Sequence, residues 1–429
     1  MARSTVAWSS DSTVRRSVVA ASGWPRHPTS FSARVLETVV EVAQMPIGGL
    51  AVDPFAGSAS LATRVCGRGD RFFGLEAHPL VAELAQVKLS RPGSPAALRD
   101  AARVTARRAR AARARVSLLD EHELLVKSFA EETLRTLAAL RQEAEQSESW
   151  AGYLRFATLG VLRDLAGTGW PYPRNVPKRR YRFHDPVDLF LRRADRMADE
   201  LSSAPRLPQA EIICADARRG TAWTLESESA DACISSPPYL NQVAYAEVLR
   251  LELYFLGRAW RWADLRALGS NLVTSCAQQV TAGMATTAQA RLTLAPRTIA
   301  AVEALSAVLS LASRGRSQPK RYDRLLPAYF ADMLSVIEHL RSVLRPNARA
   351  VWVVGDSAPY GVHVDTPALL AQLAEELGFE ALDDRPLRQR GTRWAGTGAR
   401  HSRLLSERLL VFRRQVDSTQ EVLPGFRWG

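Results

Sequence analysis

The chain has 429 residues, of which 46% are hydrophobic and 24% charged. That balance excludes a disordered chain and leaves room for one large catalytic domain with insertions, or two domains of ordinary size. The formal net charge of +13 disfavours basic partners and favours polyanions, although arginine supplies nearly all of it, with lysine only at Lys88, Lys127, Lys178 and Lys320.

Met1 to Ala21 carries Ser, Thr and Arg without the apolar centre of a signal peptide, and residues 1–22 read as a flexible tail. From His27 to Val42 the apolar positions Phe31, Val35, Leu36, Val39 and Val42 recur at helical spacing. Gly48-Gly49 then turns the chain into the apolar run Leu50-Ala51-Val52, ending at Asp53. A second short strand, Phe72 to Leu75, ends at Glu76, and a helix follows through Leu89. Strand and helix in this alternation predict a parallel sheet covered on both faces. From about Ser94 to Ala204, Ala, Arg, Leu and Glu in helical periodicity predict a helical insertion, broken near Gly167 to Pro177.

Strands resume at Glu211 to Ala215, before Asp216, and at Asp231 to Ser235, before Ser236-Pro237-Pro238-Tyr239. Gly257 to Lys320, rich in Ala, Thr and Ser, reads as irregular. An amphipathic helix to Leu344, with Pro327 expected in its first turn, leads through Arg345-Pro346-Asn347 into a strand at Ala350 to Val354. Glu380 to Arg385 and Leu404 to Phe412 read as a terminal pair of strands around a Gly-, Arg- and Trp-containing loop. The four cysteines Cys66, Cys214, Cys233 and Cys276 form no C-x-x-C pair, and Cys214 and Cys233 fall in runs that read as buried strands. No apolar stretch approaches the roughly 20 residues of a membrane helix, no histidine spacing suggests a metal, and the expected location is a reducing cytoplasm.

The residues that bear chemistry stand at strand ends, where ligands gather in doubly wound folds. Asp53-Pro54-Phe55-Ala56-Gly57-Ser58-Ala59-Ser60 is a small-residue turn that lets backbone N–H groups approach a ligand closely. Glu76 stands where a carboxylate can accept from the ribose hydroxyls of an adenosine-containing cofactor, and Asp216 where an adenine amino group can be held. Each has an ordinary alternative as a cap of the next helix. In Ser236-Pro237-Pro238-Tyr239 the two prolines lock an extended backbone, leave carbonyl oxygens free to accept and hold the Tyr ring in place.

The segments Asp53 to Ser60 and Ser236 to Tyr239 together resemble the two signature motifs of the DNA amino-methyltransferases that act on cytosine-N(4) or adenine-N(6). The resemblance implies a Rossmann-like, seven-stranded α/β sheet of the S-adenosylmethionine-dependent methyltransferase type, mostly parallel with a terminal antiparallel hairpin, plus a helical insertion. It implies that Asp53, Pro54, Phe55, Ala56, Gly57 and Ser58 line the S-adenosylmethionine, that Glu76 holds its ribose and Asp216 its adenine, and that Phe31 closes over the methionine end. Ser236, Pro237, Pro238 and Tyr239 are then the catalytic tetrad, and Ser in its first place is typical of the cytosine-N(4) branch. Ala59-Ser60 departs from the Gly-Thr that commonly ends the cofactor loop. No cysteine adjoins a proline, which argues against ring-carbon methylation through a cysteine nucleophile.

The corresponding division is a core with its cofactor half at 23–92, a helical insertion at 93–207, adenine-binding and active-site strands at 208–256, a second insertion at 257–321, the C-terminal half of the core at 322–415 and a tail at 416–429. DNA is the expected partner ahead of RNA, with a restriction endonuclease as a possible companion. Adenine-N(6), a tRNA or rRNA amine, and a non-catalytic nucleic-acid-binding relic stay open as alternatives. Arg103, Arg107 and Arg110 share a helix face that reads first as solvated and second as a phosphate contact. Trp170 to Phe183 and Arg388 to Arg403 mix aromatics with cations and are candidates for holding nucleic acid. His363 and Asp365 are expected on the catalytic side, Asp365 chiefly as a helix cap.

Overall fold

Short apolar runs that each stop at an acidic or small polar residue become the central strands, because a strand covered on both faces has no polar side to alternate with. The computed structural model describes residues 23–25, 33–166, 184–203, 209–241, 244–390 and 404–416. Helix α1 (Ala33–Val42) leads into β1 (Leu50–Asp53), α2 (Ser60–Cys66), β2 (Arg71–Leu75) and α3 (Pro79–Leu89). The chain then runs through α4 (Pro95–Ala112), α5 (Glu123–Ser128), α6 (Glu131–Glu145), α7 (Ala151–Leu165) and α8 (Pro186–Ser203) before it returns to the sheet. There follow β3 (Ala210–Ile213), β4 (Ala230–Ser235), α9 (Tyr245–Val248), α10 (Arg250–Phe255), α11 (Trp262–Ser270), α12 (Ala282–Leu292), α13 (Pro296–Ser313) and α14 (Tyr322–Val343). The last elements are β5 (Leu344–Gly355), α15 (Thr366–Glu376), β6 (Phe379–Arg390) and β7 (Leu405–Arg414).

The seven strands form one sheet in the order β3-β2-β1-β4-β5-β7-β6. The first five run parallel, and β7 lies antiparallel between β5 and β6. This is the expected mostly parallel sheet with a terminal antiparallel hairpin. One core packs Val52, Phe73, Cys233 and Trp352 against α14. A second packs Ala51, Phe72, Ile234 and Val351 against α1 and α2. Alternate residues of each strand thus face opposite layers, as the two-residue period of a strand requires. A third core, centred on Leu137, Tyr153, Phe156 and Phe190, belongs to the helices α4 to α8 and takes in Leu80 of α3 and Leu251 of α10.

Four sequence expectations need correction. Residues 257–320 are not irregular: α11, α12 and α13 occupy most of them. Their Ala-, Thr- and Ser-rich faces bury little, only Val302 and Leu309 among the large side chains of α13, so the apolar stripe that marks a helix in a sequence is narrow. Pro327 lies inside α14, whose helix starts at Tyr322 because Tyr322, Leu325 and Leu326 are all buried. Cys214 is exposed, since β3 is an edge strand that stops at Ile213. Strand β5 starts at Leu344 rather than Ala350; its register against β4 jumps from Ala230–Leu344 to Ala232–Arg349, with Asn347 in the left-handed region at φ 66°. Phe31, residues 1–22, the run Trp170 to Phe183, residues 391–403 and the tail from 417 lie outside the described residues.

Of Arg103, Arg107 and Arg110 on α4, Arg103 pairs with Asp100 and Arg110 with Asp185 and Asp188. Asp365 caps α15, its Oδ1 accepting from the Ala368 N–H at 3.0 Å. The helical layer is tied to the segment that follows β4 by a buried ion pair. Arg163 of α7 forks onto Glu252 of α10 and also donates to the Val248 carbonyl at 2.8 Å, with side-chain exposures of 9% and 6% for the pair. Removing one member of such a pair strands the other charge. Glu252→Leu is therefore expected to cost about 3–5 kcal/mol of unfolding free energy, and the double substitution Arg163→Met, Glu252→Leu much less. Urea melts of the two variants check this; equal losses would mean that the charges contribute no more than their volume.

Candidate functional site

Strands β1 and β4 are adjacent and parallel, with Ala51 opposite Ala232 and Val52 opposite Cys233. Chain order reverses between them, so the connections from their carboxyl ends leave to opposite faces and open the crevice in which doubly wound sheets bind ligands. The loop of Gly57 and the Ser236–Tyr239 tetrad therefore leave the same sheet end side by side.

A single carboxylate oxygen joins the two. Asp53, 3% exposed at the end of β1, accepts at Oδ1 from the Phe55 N–H at 2.9 Å and from the Ser235 hydroxyl at 2.5 Å. Burial nonetheless pushes the Asp53 carboxyl up to about 7, the two hydrogen bonds only partly opposing it. Beyond Asp53 the loop turns through Gly57 at φ 54° and Ala59 at φ 58°. The Ala56 N–H donates to the Leu75 carbonyl at 2.9 Å, and the loop lies close on β2: a Cβ on Gly74 would stand 2.7 Å from the Cβ of Ala56.

Glu76, just past β2, accepts from the Gly57 N–H at 3.0 Å and the His78 N–H at 2.8 Å. Its carboxyl is pushed up to about 7 by burial, opposed by those two N–H groups and helped by the charge of Asp53. Neither Asp53 nor Glu76 has a cation within ion-pair range among the described residues. Asp216 differs: Arg218 forks onto its carboxylate, Nε at 2.9 Å from Oδ1 and Nη2 at 2.8 Å from Oδ2, and reaches on to Asp332.

In the tetrad, the Ser236 hydroxyl donates to the Val353 carbonyl of β5 at 3.0 Å, which leaves its lone pairs to accept. Pro237 is buried and Tyr239 half-buried. Burial pushes the Tyr239 phenol up, with a hydrogen bond to Ser236 opposing, so the ring is neutral. Its edge lies on Gly355, where a Cβ would come within 2.8 Å of Cδ2, and the Arg390 guanidinium stands 5.0 Å from the ring centroid. Arg390 also donates to the Asp356 carbonyl at 3.2 Å. The neighbouring Arg388 is neutralised by Glu407. His363 pairs with Asp356 at 3.0 Å, beside the end of β5.

The structure thus brings Asp53, Pro54, Phe55, Ala56, Gly57, Ser58, Glu76 and the tetrad to one sheet end, with Asp216 on the same side but engaged by Arg218. Sequence reasoning missed Ser235, Arg218, Gly355 and Arg390. Arg390 had a signal through its place in the cationic stretch 388–403, and Arg218 through standing two residues after Asp216. Among the described residues no group of three or more His, Cys, Asp or Glu could hold a metal ion, and no helix is long and apolar enough to cross a membrane.

The strand order, the switch-point crevice and the two strand-end loops give the chain the Rossmann-like α/β fold of S-adenosylmethionine-dependent methyltransferases. No protein-family model matches it. By sequence it is similar to the Type II methyltransferase M.AvaI, from Nostoc sp. (strain PCC 7120) and from Anabaena variabilis, at 28% identity over 159 residues, which is 36% of this chain and 32% of the relative. The chain spans about a third of the length of these curated relatives. Among solved structures, TrmN from Thermus thermophilus aligns over 90% of this chain and 50% of its own, at 10% identity and a TM-score of 0.30. The rRNA methyltransferase aviRa from Streptomyces viridochromogenes aligns over 91% and 89%, at 12% identity and a TM-score of 0.30.

Two outcomes follow from the geometry. Ala59 is a non-glycine residue in the left-handed region with its methyl fully buried, so Ala59→Val, β-branched and larger, is expected to lower stability by about 2–3 kcal/mol, read as a fall in Tm. The raised carboxyls give the second. The unfolded chain loses these protons near the ordinary values of 3.8 and 4.5, the folded chain only near 7, so the folded state binds more protons in between and stability falls as the pH rises through that window. Asp53→Asn is expected to flatten that fall between about pH 5 and 7 in parallel calorimetric scans. Superimposable slopes would show that Asp53 carries no such proton.

Proposed function

We propose that the chain transfers a methyl group from S-adenosylmethionine to an exocyclic base amine in DNA, with cytosine-N(4) as the target. The observation that carries this reading is the Ser235–Asp53 hydrogen bond, which sets the glycine loop and the Ser-Pro-Pro-Tyr tetrad beside each other. The partial sequence similarity to a Type II methyltransferase and the Ser in the first place of the tetrad support it.

The cradle fits the cofactor. Buried Asp53 and half-buried Glu76 have only neutral donors among the described residues, and a sulfonium or ammonium nearby would supply the missing counter-charge. Asp53, Phe55, Gly57 and Ser58 would hold the methionine part and Glu76 the ribose. The ion pair of Asp216 with Arg218 would border the adenine, and Phe31 would close the methionine end. Once bound, the cofactor supplies an electrophilic methyl group on sulfur.

The remaining work falls to the tetrad. An exocyclic amine is a weak nucleophile because its lone pair is delocalised into the ring. The Ser236 hydroxyl, already donating to Val353, accepts from one amino hydrogen and the Pro237 carbonyl from the other. The nitrogen is thereby drawn towards a tetrahedral geometry with its lone pair free. Tyr239, neutral and pressed against Gly355, offers its ring to a base turned out of the duplex. The amino nitrogen, held by Ser236 and Pro237, would accept the methyl group that the bound cofactor would supply, its sulfur keeping the electron pair of the bond, and the surplus amino proton would pass to solvent. Rate enhancement then comes largely from positioning.

The test is mass analysis of nucleosides from DNA, tRNA and rRNA, each incubated with the protein and methyl-labelled cofactor. Label is expected on the exocyclic nitrogen of cytosine, with a loss of at least about 100-fold in Tyr239→Ala and Ser236→Ala. Label on adenine moves the target within the same chemistry. Label confined to tRNA or rRNA, or none while the cofactor still binds, overturns the DNA reading.

A further inference from the structure

A tryptophan indole has one polar atom and a large apolar body, so it is usually well covered in a folded chain. Trp260 and Trp262, two residues apart at the start of α11, are 48% and 44% exposed. Each is held from behind. Trp260 meets the His122 ring edge-on at 5.2 Å, and His122 in turn stacks on Tyr254 at 3.8 Å. Trp262 has the Arg250 guanidinium 5.0 Å from its ring centroid. The two indoles are therefore propped in place with part of each left open.

The side chains around them are cationic. Arg261, between the two, and Arg266, one helical turn beyond Trp262, are both exposed, and the charge of Arg261 also acts on Asp264. The nearest acid in sequence, Asp264, is engaged by the Trp260 and Arg261 backbone N–H groups. Fixed aromatic rings interleaved with exposed guanidinium groups suit a nucleic-acid strand, whose bases stack on any aromatic face while its phosphates take the cations. The surface is joined to the helix that follows Glu76. Arg258, two residues before Trp260, pairs with Glu83 of α3, the helix that starts just after Glu76.

We infer that Trp260, Arg261, Trp262 and Arg266 form a surface that binds an unpaired stretch of DNA beside the crevice, the indoles stacking on bases and the arginines meeting phosphates. This rests on the proposed reading that DNA is the substrate, and it assigns to α11 a role that nothing in the tetrad or the cofactor cradle supplies.

Fluorescence anisotropy with a labelled mixed-sequence single-stranded DNA, the full-length chain and a salt series tests it. Trp260→Ala and Trp262→Ala are expected to weaken binding roughly 5- to 100-fold each, with Trp262→Phe retaining most of the affinity. Arg261→Ala and Arg266→Ala, at exposed positions that leave the fold intact, are each expected to lower the slope of log K against log salt by about one. Cofactor affinity should be unchanged in all five variants. Wild-type affinity and slope in the variants overturn the proposal, as does tighter binding of the matching RNA. A dimer that the tryptophan variants dissolve without loss of DNA affinity also overturns it. If the unaltered chain binds no DNA at all, the reading of the substrate falls as well; if it binds and methylates DNA while the variants do so equally, only this surface falls.

Discussion

A hydroxyl-to-carboxylate hydrogen bond of 2.5 Å between Ser235 and Asp53 is the constraint on which the site depends. It spans the ends of two neighbouring parallel strands that are far apart in the chain, and the same oxygen of Asp53 also fixes the first turn of the loop through Phe55. A second tie at the opposite end of these strands, from the Leu50 N–H to the Asp231 carboxylate at 2.8 Å, keeps them in register. With both ends held, the glycine loop and the tetrad leave the sheet at a set separation, and neither can shift without breaking a buried polar contact.

Around this pair, the rest of the fold acts as support. Strand β5 receives the Ser236 hydroxyl at Val353 and gives Tyr239 its seat at Gly355. The antiparallel hairpin brings Arg390 over the same ring. On the other side, β2 carries Gly74, whose lack of a side chain lets the loop lie down, and Glu76, which holds the Gly57 N–H. The helical layer packs against α3 and α10 through its own core and the Arg163–Glu252 pair.

Much of this was legible in the residues, for identifiable reasons. Leu50 to Val52, Phe72 to Leu75 and Ala230 to Ser235 are strands buried on both faces, and such strands must be short continuous apolar runs. The acidic and small residues that end them mark the ligand side. What could not be read depends on adjacency across the sheet: that Ser235 meets Asp53 and that Gly355 seats Tyr239 follow only from strand order and register. That Ala and not Gly stands at position 59 was visible, but the left-handed backbone that makes it consequential was not. The helical character of α11 to α13 was not legible because their buried faces are narrow, with few large residues such as Leu265, Leu292, Val302 and Leu309, and with it went the exposed pair of indoles at Trp260 and Trp262.

Two carboxyl groups that still hold protons near neutrality make ligand uptake and acidity inseparable at this sheet end. A positively charged guest settling against Asp53 would lower its hold on hydrogen and expel it into the buffer. Heat measured on binding should then vary with the ionisation enthalpy of the buffer chosen. A neutral analogue lacking the onium centre would leave that calorimetric signature silent, so the crevice would distinguish charge from shape by what it gives off.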